Sequence, residues 1–146
     1  MKDETDLVKT IKRAFKQNNP NNIEINVDEI NAFGFYTDVT RVKYALKLII
    51  ESMLDNSNGN TVFCKTEIQN KAIEIFDDNP EPLNILPNRD FVHGKLRKAI
   101  YYLIALCDYS IIANFNNGGW KEINMMKDEV TDSVEYHGFT HRLTFR

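Results

Sequence analysis

The feature that most constrains this chain is a change of hydrophobic period near residue 109. Upstream, Leu96, Ala99, Ile100, Leu103, Leu106 and Cys107 recur three and four positions apart, the spacing of one helix face. The spacing predicts a helix over 89–108, capped by Asn88 or Asp90. Downstream the period falls to two. Ile111, Ala113 and Phe115 alternate, Asn116-Asn117-Gly118-Gly119 turns, and Trp120–Met126 returns, which is a β-hairpin. Phe139, His141, Leu143 and Phe145 alternate again and predict a C-terminal strand. Both periods in 146 residues make an α+β chain, long enough to bury a core without staples.

Three further segments carry helical spacing. Leu7, Val8, Ile11, Ala14 and Phe15 predict a helix over 5–17, with Lys9, Lys12, Arg13 and Lys16 on its other side. Val42, Ala45, Leu46, Ile49 and Met53 predict a helix over 39–54, widened by Leu48 and Ile50. Thr66 and Gln69 fit a capping box ahead of Ile68, Ala72, Ile75 and Phe76, which predicts a helix ending at Asp77-Asp78-Asn79-Pro80. Ile23, Ile25 and Val27 alternate as a strand, Thr61–Cys64 forms a short one, and Phe33–Tyr36 is a strand or an irregular packed segment. Pro80, Pro82 and Pro87 mark 79–88 as an exposed loop.

The order over 41–127 is helix, short strand, helix, loop, helix, hairpin. This order resembles the winged helix-turn-helix family, and Gly94–Ile112 carries most of the resemblance: a basic start, an apolar end, then an apolar strand. The family usually has glycine at that corner, and here Asp108 stands in for it. The resemblance implies one domain over 1–146: an N-terminal extension at 1–40, a winged-helix core at 41–127, and a strand extension at 128–146. It also implies a non-catalytic protein that contacts double-stranded DNA, as a transcriptional regulator or replication-associated factor of a phage or mobile element.

Groove binding needs cations for phosphates and donors for base edges. Arg89, Lys95, Arg97 and Lys98 face a single Asp90 in a chain of formal net charge -3. With Asn88 and His93 on the third helix, and Asn116, Asn117 and Lys121 on the wing, they form the candidate DNA-binding set. The net negative charge suits a second class, a viral or mobile-element module that binds and modulates a host protein, alone or as a homodimer. A third class is a small metal-free nuclease, with His93 or His141 as base and Lys95 or Arg142 holding phosphate.

No cofactor or metal is expected. His137 and His141 lack the paired CxxC that a zinc finger needs, and no phosphate-binding glycine motif is present. No apolar run reaches the roughly 20 residues of a membrane span. The polar N-terminus lacks a secretory core, and Cys64 and Cys107 sit singly in apolar surroundings. A cytoplasmic protein with reduced thiols and no membrane partner is expected.

Overall fold

A computed structural model describes residues 4–17, 19–31, 38–56, 61–87 and 94–145. The elements run α1 (Glu4–Gln17), β1 (Ile25–Glu29), α2 (Val39–Asn56), β2 (Val62–Glu67), β3 (Ala72–Asp77), α3 (Lys95–Leu103), β4 (Cys107–Phe115), β5 (Gly119–Asn124), β6 (Glu129–Asp132) and β7 (Thr140–Phe145). The strands form one sheet in the order β1-β2-β3-β7-β4-β5-β6. Among the described strands, only the β1–β2 pair is parallel.

The apolar stripes do what their spacing requires. Leu7, Ile11, Ala14 and Phe15 of α1 and Val42, Ala45, Leu46, Ile49 and Ile50 of α2 are buried. Leu96, Ala99, Ile100 and Leu103 of α3 join them in one core cluster. The helices pack side by side, α1 on α2 and α2 on α3. The sheet presents to them a cross-strand row in register, Ile75, His141, Ile111 and Ile123. The opposite face carries a polar row: Lys65, Glu74, Arg142 and Ser110. The result is two layers, helices on one face of a mixed sheet.

The helix expected at 66–76 does not exist. Those residues end β2, turn, and start β3, which pairs with β2 from Val62↔Asp77 to Glu67↔Ala72. The physical reason is two-sided burial. Ala72, Ile73, Glu74, Ile75 and Phe76 are all buried, so the strand shows no alternation, while Ile68 sits exposed in the turn. Lys71 closes that turn at φ 52. Thr66 caps nothing helical. Its hydroxyl donates to Asn31 O at 2.8 Å and accepts from Asn31 N at 2.6 Å, tying the end of β1 to β2.

The third helix is also shorter than expected. Among the described residues it runs Lys95–Leu103, and Cys107 already belongs to β4. Ala105, at φ 66, makes the left-handed corner, and Asp108 lies in the strand. The expected hairpin at 111–126 and the C-terminal strand are present, but the hairpin is part of the continuous sheet, extended by β6. A winged helix-turn-helix core is therefore absent. Phe33–Tyr36 lies outside the described residues. No described helix is long and apolar enough to cross a membrane.

Candidate functional site

One end of the sandwich gathers the charged and backbone-constrained groups. Asp77 closes β3 there, opposite Val62 at the start of β2. β7 runs antiparallel to β3, so its first residues arrive at the same end. α2 ends at Asn56, a few residues before β2 starts. α3 begins there, because Lys95 reaches back to α2: its Nζ lies 2.7 Å from Asp55 Oδ2 and 3.6 Å from Glu51 Oε2. The loop after β3 is held at this end too. Leu83 N donates to Asn114 O at 2.8 Å, and Asn116 N donates to Leu83 O at 2.9 Å.

Asp77 is locked by the backbone around it. Its Oδ1 accepts from Phe139 N at 3.0 Å and from Asn79 N at 3.1 Å. Gly138 passes so close that a Cβ there would lie 2.6 Å from Asp77 O and 2.9 Å from Asn79 O, and nearer still to Asp77 Oδ1. Thr140, fully buried, donates to Gly138 O at 3.1 Å and stiffens the approach. Burial raises the Asp77 pKa above the ordinary value, against the lowering pull of the two N–H groups; the charge of Asp78 also raises it. The structure thus holds a half-buried carboxylate whose Oδ1 is engaged by two backbone N–H groups.

The start of α3 is the second half. Its N-cap is Gly94, at φ 58, with no side-chain cap and no acidic residue in the first turn. Lys95, Arg97 and Lys98 stand there instead. Cations at a helix N-terminus oppose the helix dipole, whereas an anion would satisfy both the cations and the free N–H groups. Lys95 has its pKa raised, first by its hydrogen bond to Asp55, with Glu51 adding to it.

The described residues selected from sequence for DNA binding fall on two elements, α3 and the β4–β5 hairpin. Arg97 and Lys98 are exposed on α3, and Lys95 lies between α2 carboxylates. Asn116 and Asn117 sit in the exposed β4–β5 turn. Lys121 is engaged with Asp132 across the β5–β6 ladder. Asn88, Arg89 and His93 lie outside the described residues. His141 faces the core, sharing a 2.6 Å hydrogen bond between its Nδ1 and the Tyr109 hydroxyl. Burial pushes its imidazole down to about 3, so it is neutral and cannot serve as a surface base. Sequence reasoning passed over Asp77, Gly138, Glu51 and Asp55. The available signal was an apolar run ending in Asp77-Asp78-Asn79-Pro80 ahead of a proline-rich loop.

Comparison with known proteins overturns the DNA-binding reading. A family model described as "Histidine Kinase domain observed in conflict contexts" matches residues 1–146. Solved histidine kinases share the fold at low identity. The Erythrobacter litoralis EL346 blue-light activated histidine kinase superposes with TM-score 0.63 at 8% identity, over 99% of this chain and 45% of that one. Acinetobacter baumannii histidine kinase AdeS gives 0.63 at 15%, over 99% and 66%. Mycobacterial sensor histidine kinase MprB gives 0.59 at 11%, over 95% and 94%. The chain thus spans about half to two-thirds of the first two. No curated protein matches the sequence. The expectations of a winged-helix family, a non-catalytic transcription regulator and a duplex-DNA partner are corrected accordingly: the fold is the one shared by these histidine kinases, and the matching family is a histidine kinase domain. By a match over its whole length, the chain belongs to the family of histidine kinase domains observed in conflict contexts.

Proposed function

We propose that this chain is the nucleotide-binding catalytic domain of a histidine kinase, taking ATP at the end of the sandwich where β3 stops. The observation that carries the reading is the Asp77 cradle. A carboxylate fixed by two backbone N–H groups and a glycine is set to accept from the exocyclic amine of a purine. The uncapped, cationic start of α3 suits the phosphates. Lys95 is the cation closest to the helix start and the natural first contact for an anion there.

Phosphoryl transfer asks the protein mainly for positioning and charge stabilisation. A divalent cation accompanying the nucleotide supplies charge neutralisation when bound. Glu51 and Asp55, one turn apart on α2, offer the hard carboxylate oxygens that suit it, and they already gather the Lys95 ammonium. Asp77 orients the base, and α3 holds the phosphates. His141, sealed in the core, is not the acceptor; this reading gives that role to a histidine presented by a partner.

The test is calorimetric titration with ATP and ADP, with and without magnesium. Asp77→Asn should weaken binding by roughly 10- to 100-fold, the loss of a charge-assisted hydrogen bond of about 1.5–3 kcal/mol, with the circular dichroism spectrum unchanged. Binding of Asp77→Asn equal to wild type, or no nucleotide binding by the wild type, overturns the reading.

A further inference from the structure

Two surface features away from the nucleotide end match each other in charge. The first is a groove of about 450 Å³ between α1 and α2. Lys9, Arg13, Lys43 and Lys47 line it with Ala14 and Tyr44, and no lining residue is a carboxylate. Tyr44 is 54% exposed and stacks on Tyr102 of α3 at 5.7 Å, giving the groove an apolar rim. In a chain of net charge -3, this is a concentration of positive charge on two neighbouring helices.

The second feature is the far edge of the sheet. β6 is exposed at every position and, among the described residues, pairs only with β5. Its other edge leaves backbone donors and acceptors open, the state in which a strand recruits another surface. The lip around it, 127–135, carries Asp128, Glu129, Asp132 and Glu135 against the single cation Lys127. It also carries two exposed valines, Val130 at 42% and Val134 at 79%. Asp132 is engaged by Lys121, which fixes the lip in place.

The two features lie on different layers, the groove on the helices and the lip on an edge strand. α1 leads into β1, and β1 and β6 are the two edges of a seven-stranded sheet. At about 4.8 Å per strand step the edges lie roughly 29 Å apart. We propose that the α1–α2 groove docks the acidic β6 lip of a second copy of this chain, head to tail. Lys9, Arg13 and Lys47 meet the lip carboxylates, and Val130 or Val134 packs on the Tyr44 rim. Such a contact is heterologous: each copy uses its groove on one neighbour and its lip on the other, so it builds a ring or an open chain instead of a two-fold dimer.

Sedimentation velocity on the full chain at rising concentration tests this. In about 50 mM salt, species heavier than the 17.0 kDa monomer should grow with concentration, and in about 500 mM salt they should dissociate, because the contact is charge-led. Two variants at exposed positions give the decisive arm. Lys9→Glu with Arg13→Glu and Lys47→Glu leaves three carboxylates against Lys43 and makes groove and lip both acidic. Glu129→Lys with Glu135→Lys makes both basic. Each variant alone should be monomeric with an unchanged melting temperature, and an equimolar mixture should assemble again, because every groove then faces a lip of opposite sign. Nucleotide affinity should be unaffected in all of them, which separates this outcome from that of the catalytic reading. A monomeric wild type in low salt, a mixture that stays monomeric, or a single variant that still assembles overturns the proposal. So does a monomeric wild type whose groove binds a synthetic poly-glutamate peptide, which would assign the groove to another acidic protein.

Discussion

Gly138→Ala is the sharpest probe of the Asp77 cradle. The new methyl group would sit 2.6 Å from Asp77 O and 2.9 Å from Asn79 O, with Asp77 Oδ1 closer than either. Two of these neighbours are backbone and the third is a short, locked carboxylate, so none swings away as a lysine tip would. Either β7 shifts outward or the carboxylate turns, and both lose the 3.0 Å bond from Phe139 N. Overpacking costs about 1–3 kcal/mol, and a hydrogen bond to a charged group adds about 1.5. A total of about 3 kcal/mol lowers the melting temperature by roughly 6–12 °C in a domain of this size. Gly94→Ala is the control, because its Cβ meets nothing within 4 Å and only the φ of 58 is strained. The cost there is the strain of a side chain at φ 58, ψ -121, with no steric clash added to it. Thermal unfolding followed by circular dichroism compares them. If Gly138→Ala melts no lower than Gly94→Ala, the close approach between β7 and β3 is not what holds the site.

Glu74 and His141 give two predictions set by pH. Glu74 is buried on the helix-free face, 2.6 Å from Arg142 Nη1 and 3.4 Å from Lys65 Nζ, with the Tyr136 hydroxyl also donating to it. Burial raises its pKa, but Tyr136, Arg142 and Lys65 together outweigh that and hold it below the ordinary 4.5. A depressed carboxyl stabilises the fold above its unfolded pKa and loses that contribution as pH falls through the folded one. Glu74→Gln should therefore lower stability by about 3 kcal/mol at neutral pH, and urea midpoints of variant and wild type should converge in acid; a constant difference across pH refutes the charge argument. His141 works through the opposite charge: its folded pKa of about 3 lies below the ordinary 6.5, so its stabilisation is complete above that value and fades as pH drops toward 3. Its ring resonances in nuclear magnetic resonance should stay those of the neutral imidazole down to about pH 5, well below the usual histidine midpoint; a midpoint above that value means the core admits water there.

How legible the fold was depended on how many sides of each element are buried. α1 and α2 each turn a stripe to the core and charge to water, so Leu7–Phe15 and Val42–Met53 announced themselves. β4 begins where the period changes, and β7 alternates His141, Leu143 and Phe145 inward with Thr140 and Arg142 on the other face. β3 hid because both its faces are covered: Ile73 and Ile75 join the helix-side core, while Glu74 is sealed by Arg142 and Tyr136, and Phe76 by Phe63 and His137. With alternation gone, Ile68, Ala72, Ile75 and Phe76 happened to fall at helical spacing. That single segment decided the fold class, since exchanging one hairpin for a helix converts a seven-stranded sheet into the element order of a winged helix. The site was less legible for a related reason. Asp77 means little without Phe139, which donates to it from 62 positions away, and Gly138 matters only because Asp77 leaves no room for a Cβ. Lys95 stands out by local charge alone, yet its partners Glu51 and Asp55 come from a helix some 40 residues earlier. Periodicity reports which side of an element faces the core. A site made by the register between distant strands leaves no period to read, so it becomes visible only once β3 and β7 are placed side by side.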